Sequence, residues 1–500
     1  MTTIPENIGQ FYLGTEILPD AGTPVLYDAA DLTTHAVIIG MTGSGKTGLG
    51  ITLLEEAALD GIPVIAIDPK GDLGNLALNF PARRAADFAP YADAASLAQS
   101  GQTADAWAAA TAQKWGEGID ASQQSAARQE ALAAANPVHI YTPGGEHGLP
   151  LSLLAHLGAP DPAIQGEREA YADYLDSTAA ALLALVGDAG DSTSPAQLYL
   201  AHILKHHWDA GRDLDLAQLI SEIQNPPMAQ IGVLPVAQVY PAKARDKLAL
   251  AFNNLLAAPG FSAWLQGAPL DSQQLLYDAQ NRAQTSIINI AHLNDAERMT
   301  LVTLLLGNLI AWMRRQSGSS TLRAILYMDE LYGYLPPSAN PPSKKPLLTL
   351  LKQARAYGLG LVLSTQNPVD LDYKALANAG TWLIGRMQTA QDRARVADGL
   401  TSASAQGLDR ATLETWFDHI DKRRFLLHNI HEAQPCILQS RHAMSYLAGP
   451  LSREHIRALT ANDPRRATAS VAAENSGHDS PPPALPAGIN RYYLPNENSG

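Results

Sequence analysis

Gly40-Met41-Thr42-Gly43-Ser44-Gly45-Lys46-Thr47 follows the pattern GxxxxGK[ST]. Glycines in such a run let successive backbone N–H groups curl around phosphate oxygens. Lys46 would then reach the β- and γ-phosphates of a nucleotide, and the Thr47 hydroxyl would coordinate Mg2+. Gly48 continues into a segment of helical composition, whose positive N-terminal end adds to anion binding. Phosphoryl transfer also needs a metal anchor and a group that orients or deprotonates water. The run Ile325-Leu-Tyr-Met-Asp329-Glu330 offers both. Asp329 would hold Mg2+ through its water shell, and Glu330 would polarise the attacking water. Gln366, in GLVLSTQNP, would sit beside the γ-phosphate. Arg355, in KQARAYG, is either a local salt-bridge partner or an arginine finger that reaches a neighbour's nucleotide, which requires an oligomer. Arg386 and Arg393 are further candidates for sensing phosphate.

These residues need a scaffold that brings distant stretches together. His35–Gly40 (HAVIIG) is a compact β-branched run that ends at the glycine loop, and Thr47–Leu59 has helical composition. Strand, loop and helix open an α/β unit. Ile62–Asp68 reads as a strand buried on both faces, because its apolar run is unbroken. Residues 82–136, rich in Ala and Gln, predict two or three helices, with Trp107 and Trp115 on one face; Val138–Tyr141 is a further strand. Helices are then expected at Glu167–Val186, Pro195–Ala210 and Ala242–Ala257, separated by prolines. The α/β alternation returns with strands at Ser286–Ala291, Arg323–Met328, Gly360–Ser364 and Thr381–Gly385, and helices at Glu297–Arg315 and Pro346–Tyr357. Alternation of this kind implies a mostly parallel central sheet with its ligand site at the carboxyl strand ends. The expected division is a short N-terminal β extension (1–34), the first part of an α/β core (35–150), a large helical insertion (151–284), the second part of the core (285–447), and a C-terminal helix with a Pro-rich tail (448–500).

Composition narrows the setting. The chain has 500 residues, 46% of them hydrophobic and 17% charged, so it can bury a core and is not broadly disordered. Its formal net charge of −14 argues against a surface coated for nucleic-acid binding, yet leaves room for a local basic loop. Lys344 and Lys345, at the end of a Pro-rich loop after Glu330, are the first candidates to touch DNA phosphates; Lys422-Arg423-Arg424 is a second basic cluster. His202, His206 and His207 share a helix, where the spacing of His202 and His206 could hint at a metal. No third ligand accompanies them, and a partly exposed helix face is the simpler reading. Cys436 is the single cysteine, so neither a disulfide nor a cysteine-based metal site can form within the chain. Met1–Gln10 lacks the pattern of a signal peptide, and the most apolar stretch, Met299–Met313, is too short and polar to span a bilayer. A cytoplasmic protein with no membrane contact is expected.

Taken together, GMTGSGKT, IDPKGDL, ILYMDEL, KQARAYGLGLVLSTQNP and WLIGRMQTAQDRAR resemble the HerA/FtsK class of RecA-like P-loop motor ATPases, and among them the HerA-like proteins with a helicase HerA domain. The resemblance covers roughly 35–80 and 285–400. It implies a RecA-like P-loop fold, ATP and Mg2+ as cofactors, a homo-hexameric ring, and double-stranded DNA pumped through its pore, with a partner nuclease as a further expectation. Lys46, Thr47, Asp329, Glu330 and Gln366 fall on the family's nucleotide and hydrolysis positions, and Arg355 matches its trans-acting arginine. Asp68, Lys70 and Asp72 fall in its loop near the γ-phosphate. Family members carry a β-barrel before the motor; the 34 residues preceding the first core strand here are too few for one. Two alternatives stand beside the DNA motor: a type IV secretion-like motor acting on protein, and a nucleotide-gated scaffold for an effector nuclease.

Overall fold

The computed structural model describes residues 7–466, apart from 94–96, 100, 136, 154–156, 189–193, 259, 369–371, 377–378 and 404–409. The tail expected to be Pro-rich therefore lies largely outside the described residues. A single 11-stranded sheet organises the chain. Its strands are β1 (Gln10–Leu18), β2 (Pro24–Asp28), β3 (Ala36–Ile39), β4 (Val64–Asp68), β5 (Val138–Tyr141), β6 (Thr285–Asn289), β7 (Ser319–Met328), β8 (Tyr357–Thr365), β9 (Thr381–Ile384), β10 (Arg424–Asn429) and β11 (Cys436–Ser440). In space they run β2-β1-β11-β10-β9-β3-β8-β7-β4-β6-β5.

The stretch from β9 to β5 is parallel throughout. Parallel strands are covered on both faces, which explains why β3, β4 and β6 are buried along their whole length. The remaining strands extend the sheet antiparallel from β9 through β10 and β11 to β1 and β2. The N-terminal strands expected as an extension are thus part of the main sheet, closed onto it by β11.

Helix α1 (Lys46–Leu59) follows β3 directly. The long α2 (Arg168–Leu185) and α3 (Pro195–Trp208) lie between β5 and β6 in sequence, and α2 packs against both α3 and α4 (Asp295–Arg314). A capping box between Asn294 and Glu297 starts α4. Leu182, Leu200, Trp208 and Leu219 of the insertion lie in the same hydrophobic cluster as Leu305 of α4 and Ile65, Ile67 and Leu326 of the sheet. The insertion shares one face of the sheet rather than standing on a separate core. A second cluster, with Leu49, Ile51 and Leu53 of α1, covers the other face. Trp107 and Trp115, on one helix as expected, pack with Phe88.

One buried ionic cluster ties α1 to the end of the chain. Arg441, fully buried, reaches Glu55 at 2.7 Å and Glu56 at 2.6 Å, and Arg128 holds Glu56 from the other side at 2.6 Å. Glu55 also accepts the backbone N–H groups of Met444 and Ser445. Every charge in the cluster is paired, which is the condition for burying it.

Candidate nucleotide site

The strand order β9-β3-β8-β7-β4 places five carboxyl ends side by side, and each carries a residue singled out by the sequence. The glycine loop leaves β3. Gly43 and Gly45 have φ of 79° and 99°, a region open to glycine and strained for other residues. Gly40 N–H donates to the Thr365 carbonyl of β8, and Met41 N–H to the Arg386 carbonyl beyond β9. The loop is therefore hung between its two neighbours in the sheet.

Lys46, the first residue of α1, is 4% exposed, and its ammonium lies 3.6 Å from Asp329 Oδ1. Asp329 is fully buried at the end of β7, with Lys70 Nζ 4.0 Å from its other oxygen. Neither Asp329 oxygen accepts a hydrogen bond from another described residue. A buried carboxylate left in this state is costly, and the shell of a hydrated cation would satisfy it. Thr47 sits half-buried on the first turn of α1. Backbone cradle, Lys46, Thr47 and Asp329 together form a donor set that fits a nucleoside triphosphate with Mg2+.

Glu330 occupies a left-handed conformation, with φ of 51°, beyond the end of β7. Non-glycine residues in this region are concentrated at functional sites. One carboxylate oxygen accepts from Lys70 Nζ at 2.6 Å; the other is 3.3 Å from Thr365 Oγ1 and 3.4 Å from the Gln366 backbone N. Gln366 Oε1 accepts from Thr42 Oγ1 of the glycine loop at 2.7 Å, joining residues 324 positions apart. The structure thus brings Lys46, Asp329, Glu330 and Gln366 to one place.

Asp68 has a different part. It is buried at the end of β4 and accepts the backbone N–H groups of Lys70, Gly71, Asp72 and Leu73. Burial pushes its carboxyl up to about 7, opposed by the N–H of Gly71 and reinforced by the nearby Asp329 charge. Its geometry shapes the loop that presents Lys70.

Arg386 stands beside the glycine loop, with Nε 3.4 Å from Met41 Sδ and one guanidinium nitrogen 4.0 Å from Asp421. Arg393 is farther out, paired with Asp418 at 3.2 Å. Arg355 is exposed on a short turn before β8, at the opposite end of that strand from Gln366. Nine strand residues at about 3.3 Å each separate it from its own site by roughly 30 Å. Within one chain it does not join the others.

The two lysines expected to touch DNA are engaged elsewhere. Lys344 is 8% exposed; its ammonium donates to the carbonyls of Pro336 at 2.6 Å and Ala339 at 3.2 Å, and pairs with Asp372 at 3.2 Å. It staples the Pro-rich loop from inside. Lys345 pairs with Asp173 at 3.0 Å and Asp176 at 3.4 Å on α2. A buried ammonium saturated by carbonyls is not available to a phosphate backbone, so Lys344 is corrected to a structural role. His207, of the histidine helix, pairs with Glu222 at 2.6 Å, and His202 bonds the Leu198 carbonyl. Among the described residues no group of three or more potential ligands could hold a metal ion.

Arg423, noted in the sequence only as part of a basic cluster, supports the glycine loop instead. In a left-handed conformation, with φ of 62°, it donates its N–H to the Ser44 carbonyl at 2.7 Å, and a Cβ on Gly45 would lie 2.9 Å from its Cγ. Its guanidinium bonds His442 at 2.7 Å. Only the pairing of β10 and β11 beside the loop creates this contact.

Comparison with known proteins agrees with this geometry. Residues 8–141 match the family model described as Helicase HerA, central domain. Among solved structures, the chain is similar to VirB4 of Thermoanaerobacter pseudethanolicus, with a TM-score of 0.52 at 14% identity over 88% of this chain and 99% of that one. It is also similar to the bacterial conjugative coupling protein TrwB, with a TM-score of 0.50 at 11% identity over 91% of this chain and 92% of that one. No curated protein matches the sequence. The resemblance seen in the motifs is matched over residues 8–141 by the HerA central-domain model, and the fold is the RecA-like P-loop ATPase fold, a mostly parallel sheet flanked by helices, shared with VirB4 and TrwB.

Proposed function

We propose that the protein is an ATP-hydrolysing ring motor that translocates double-stranded DNA. The observation that supports this most is the meeting of Lys46, Asp329, Glu330 and Gln366 around one point, with a buried carboxylate that a hydrated cation would satisfy. ATP bound there with Mg2+ would lie with its phosphates in the loop Gly40–Gly48. Mg2+ would neutralise charge developing on the phosphate oxygens. On this reading Asp329 and Thr47 hold the metal, Glu330 orients and deprotonates water, and Gln366 ties that chemistry to the glycine loop through Thr42. Arg386, beside Met41, senses the phosphates.

Arg355 fits a role in trans, because it is exposed and far from its own nucleotide. A homo-hexamer in which each Arg355 faces the next subunit's ATP would complete every site. The match of residues 8–141 to the helicase HerA central domain supports DNA as the cargo; a cytoplasmic setting and work alongside a nuclease follow only from the resemblance in the motifs. No helix among the described residues is long and apolar enough to cross a membrane.

A second reading, a type IV secretion-like motor acting on protein, draws on the net charge of −14 and on the engagement of Lys344 and Lys345 within the chain. The nucleotide-gated scaffold is less favoured, because a switch without turnover has no need of Glu330 poised at the site. ATPase rates with and without duplex DNA, measured together with the mass of the assembly, separate the three. Strong stimulation of a hexamer by DNA is the expected result. DNA-independent turnover would shift the cargo to protein, and absence of turnover in every state would leave the scaffold.

A further inference from the structure

Both carboxylate oxygens of Glu330 are engaged within the chain. A water-activating carboxylate needs an unshared lone pair facing the water. One of its oxygens is instead held by Lys70 Nζ at 2.6 Å, the shortest contact it makes, and the other is turned toward Thr365 and the Gln366 N–H. Lys70 is also 4.0 Å from Asp329 Oδ2, the carboxylate whose other oxygen faces Lys46. Its ammonium therefore stands between the water-activating group and the place where the terminal phosphate would be seated.

The backbone that carries Lys70 is fixed, and its side chain is not. Asp68 clamps the N–H groups of residues 70 to 73, and Gly71 makes the turn at φ of 84°. The Lys70 side chain is 29% exposed, and it pairs with the carboxylates of Asp329 and Glu330. A long flexible stem on a rigid loop can move its charge by a few ångströms without disturbing the fold. A triphosphate arriving against Lys46 and Asp329 would present a denser negative charge than Glu330 within that reach.

We propose that Lys70 is a positioning residue that latches Glu330 while the site lacks a terminal phosphate and releases it by transferring its ammonium to that phosphate. The inference rests on the reading of this site as one for ATP. It makes water activation conditional on a γ-phosphate, so that an ADP-bound subunit keeps Glu330 held. It also predicts that breaking the Lys70–Glu330 pair is part of the work of binding ATP, and no part of binding ADP.

The test is a double-mutant cycle read by equilibrium binding of a non-hydrolysable ATP analogue and of ADP, each with Mg2+, to the full chain. The variants are Glu330→Gln, Lys70→Met and the double substitution. With Lys70 present, Glu330→Gln should tighten the ATP analogue about fivefold, the size of a partly exposed ion pair that no longer has to be broken. In the Lys70→Met background the same change should gain distinctly less, since only phosphate–carboxylate repulsion is relieved. ADP affinity should stay within about twofold in all variants, which also reports that they are folded. Lys70→Arg should restore the wild-type coupling.

A Lys70 that merely bridges Glu330 and phosphate at once gives the opposite sign, because Glu330→Gln then helps more when the lysine is gone. Equal effects in both backgrounds, or that reversed sign, would overturn the latch. Failure of the wild type to bind either nucleotide would instead overturn the ATP site itself.

Discussion

At the scale of single residues, a few charges held in a dry setting govern the site. Burial pulls the Lys46 ammonium down, and the carboxylate of Asp329 pulls it back toward the charged form. The two are each other's support until a phosphate and its cation arrive. Lys46→Ala should therefore weaken ATP binding by roughly 10- to 100-fold, the loss of a charge-assisted contact of about 1.5–3 kcal/mol. It also leaves Asp329 without its nearest cation. Titration calorimetry with ATP checks this, and an unchanged affinity would remove Lys46 from the site. These residues were legible in the sequence because their chemistry fixes both residue type and local spacing. Lys344 was misread for the reverse reason. Two lysines after a run of prolines look solvated, and only the folded loop shows that the carbonyls of Pro336 and Ala339 enclose one of them. Arg423 stood out only as part of a basic cluster, since its part at the glycine loop is played by a backbone N–H and a left-handed turn that its neighbours in sequence do not announce.

At the scale of elements, the parallel strands were readable as unbroken β-branched runs, and their observed bounds differ from expectation mainly at the ends. The helices 168–185, 195–208 and 242–256 were readable in the same way. The place of β1 and β2 was not, because it depends on β11, a five-residue strand whose pairing partners lie at both ends of the chain. That closure also explains the buried ionic cluster. Arg441, the residue after β11, clamps the phosphate-binding helix through Glu55 and Glu56. Burial alone would raise the Glu56 carboxyl, but Arg441 and Arg128 outweigh it and hold it below the usual range. A group lowered in this way adds stability above its unfolded pKa of about 4.5, and that stability is lost as pH falls through the folded value. Arg441→Met should cost about 3–5 kcal/mol at neutral pH, because buried Glu55 loses its ion-pair partner and Glu56 loses one of its two. The deficit should shrink as pH drops below about 4.5, where the unfolded carboxylates take up protons and the clamp is worth less in the wild type. Urea unfolding of both proteins across that range checks it. A deficit independent of pH would mean that the cluster acts by packing alone.

At the scale of the whole molecule, the proposed ring would bring one further cation, Arg355 of a neighbour, to each nucleotide. Arg355 is roughly 30 Å from its own glycine loop by strand length, so its use in hydrolysis requires a second subunit. Arg355→Ala should abolish turnover with ATP affinity nearly unchanged. Mixing it with Lys46→Ala protein should partly restore activity, since a Lys46→Ala subunit still offers its arginine to an intact neighbouring pocket. Activity in the mixture no higher than in either variant alone would count against a finger acting between subunits.

On the proposed reading, β3 and β7 close on one magnesium-bound triphosphate with Glu330 facing its water. Single-turnover hydrolysis of Mg-ATP by the wild type and by Glu330→Gln, alongside ATP binding by both, tests it most directly. Binding at least as tight as in the wild type, with hydrolysis slowed by roughly 100-fold or more, is the predicted result. Hydrolysis by Glu330→Gln at the wild-type rate would contradict it.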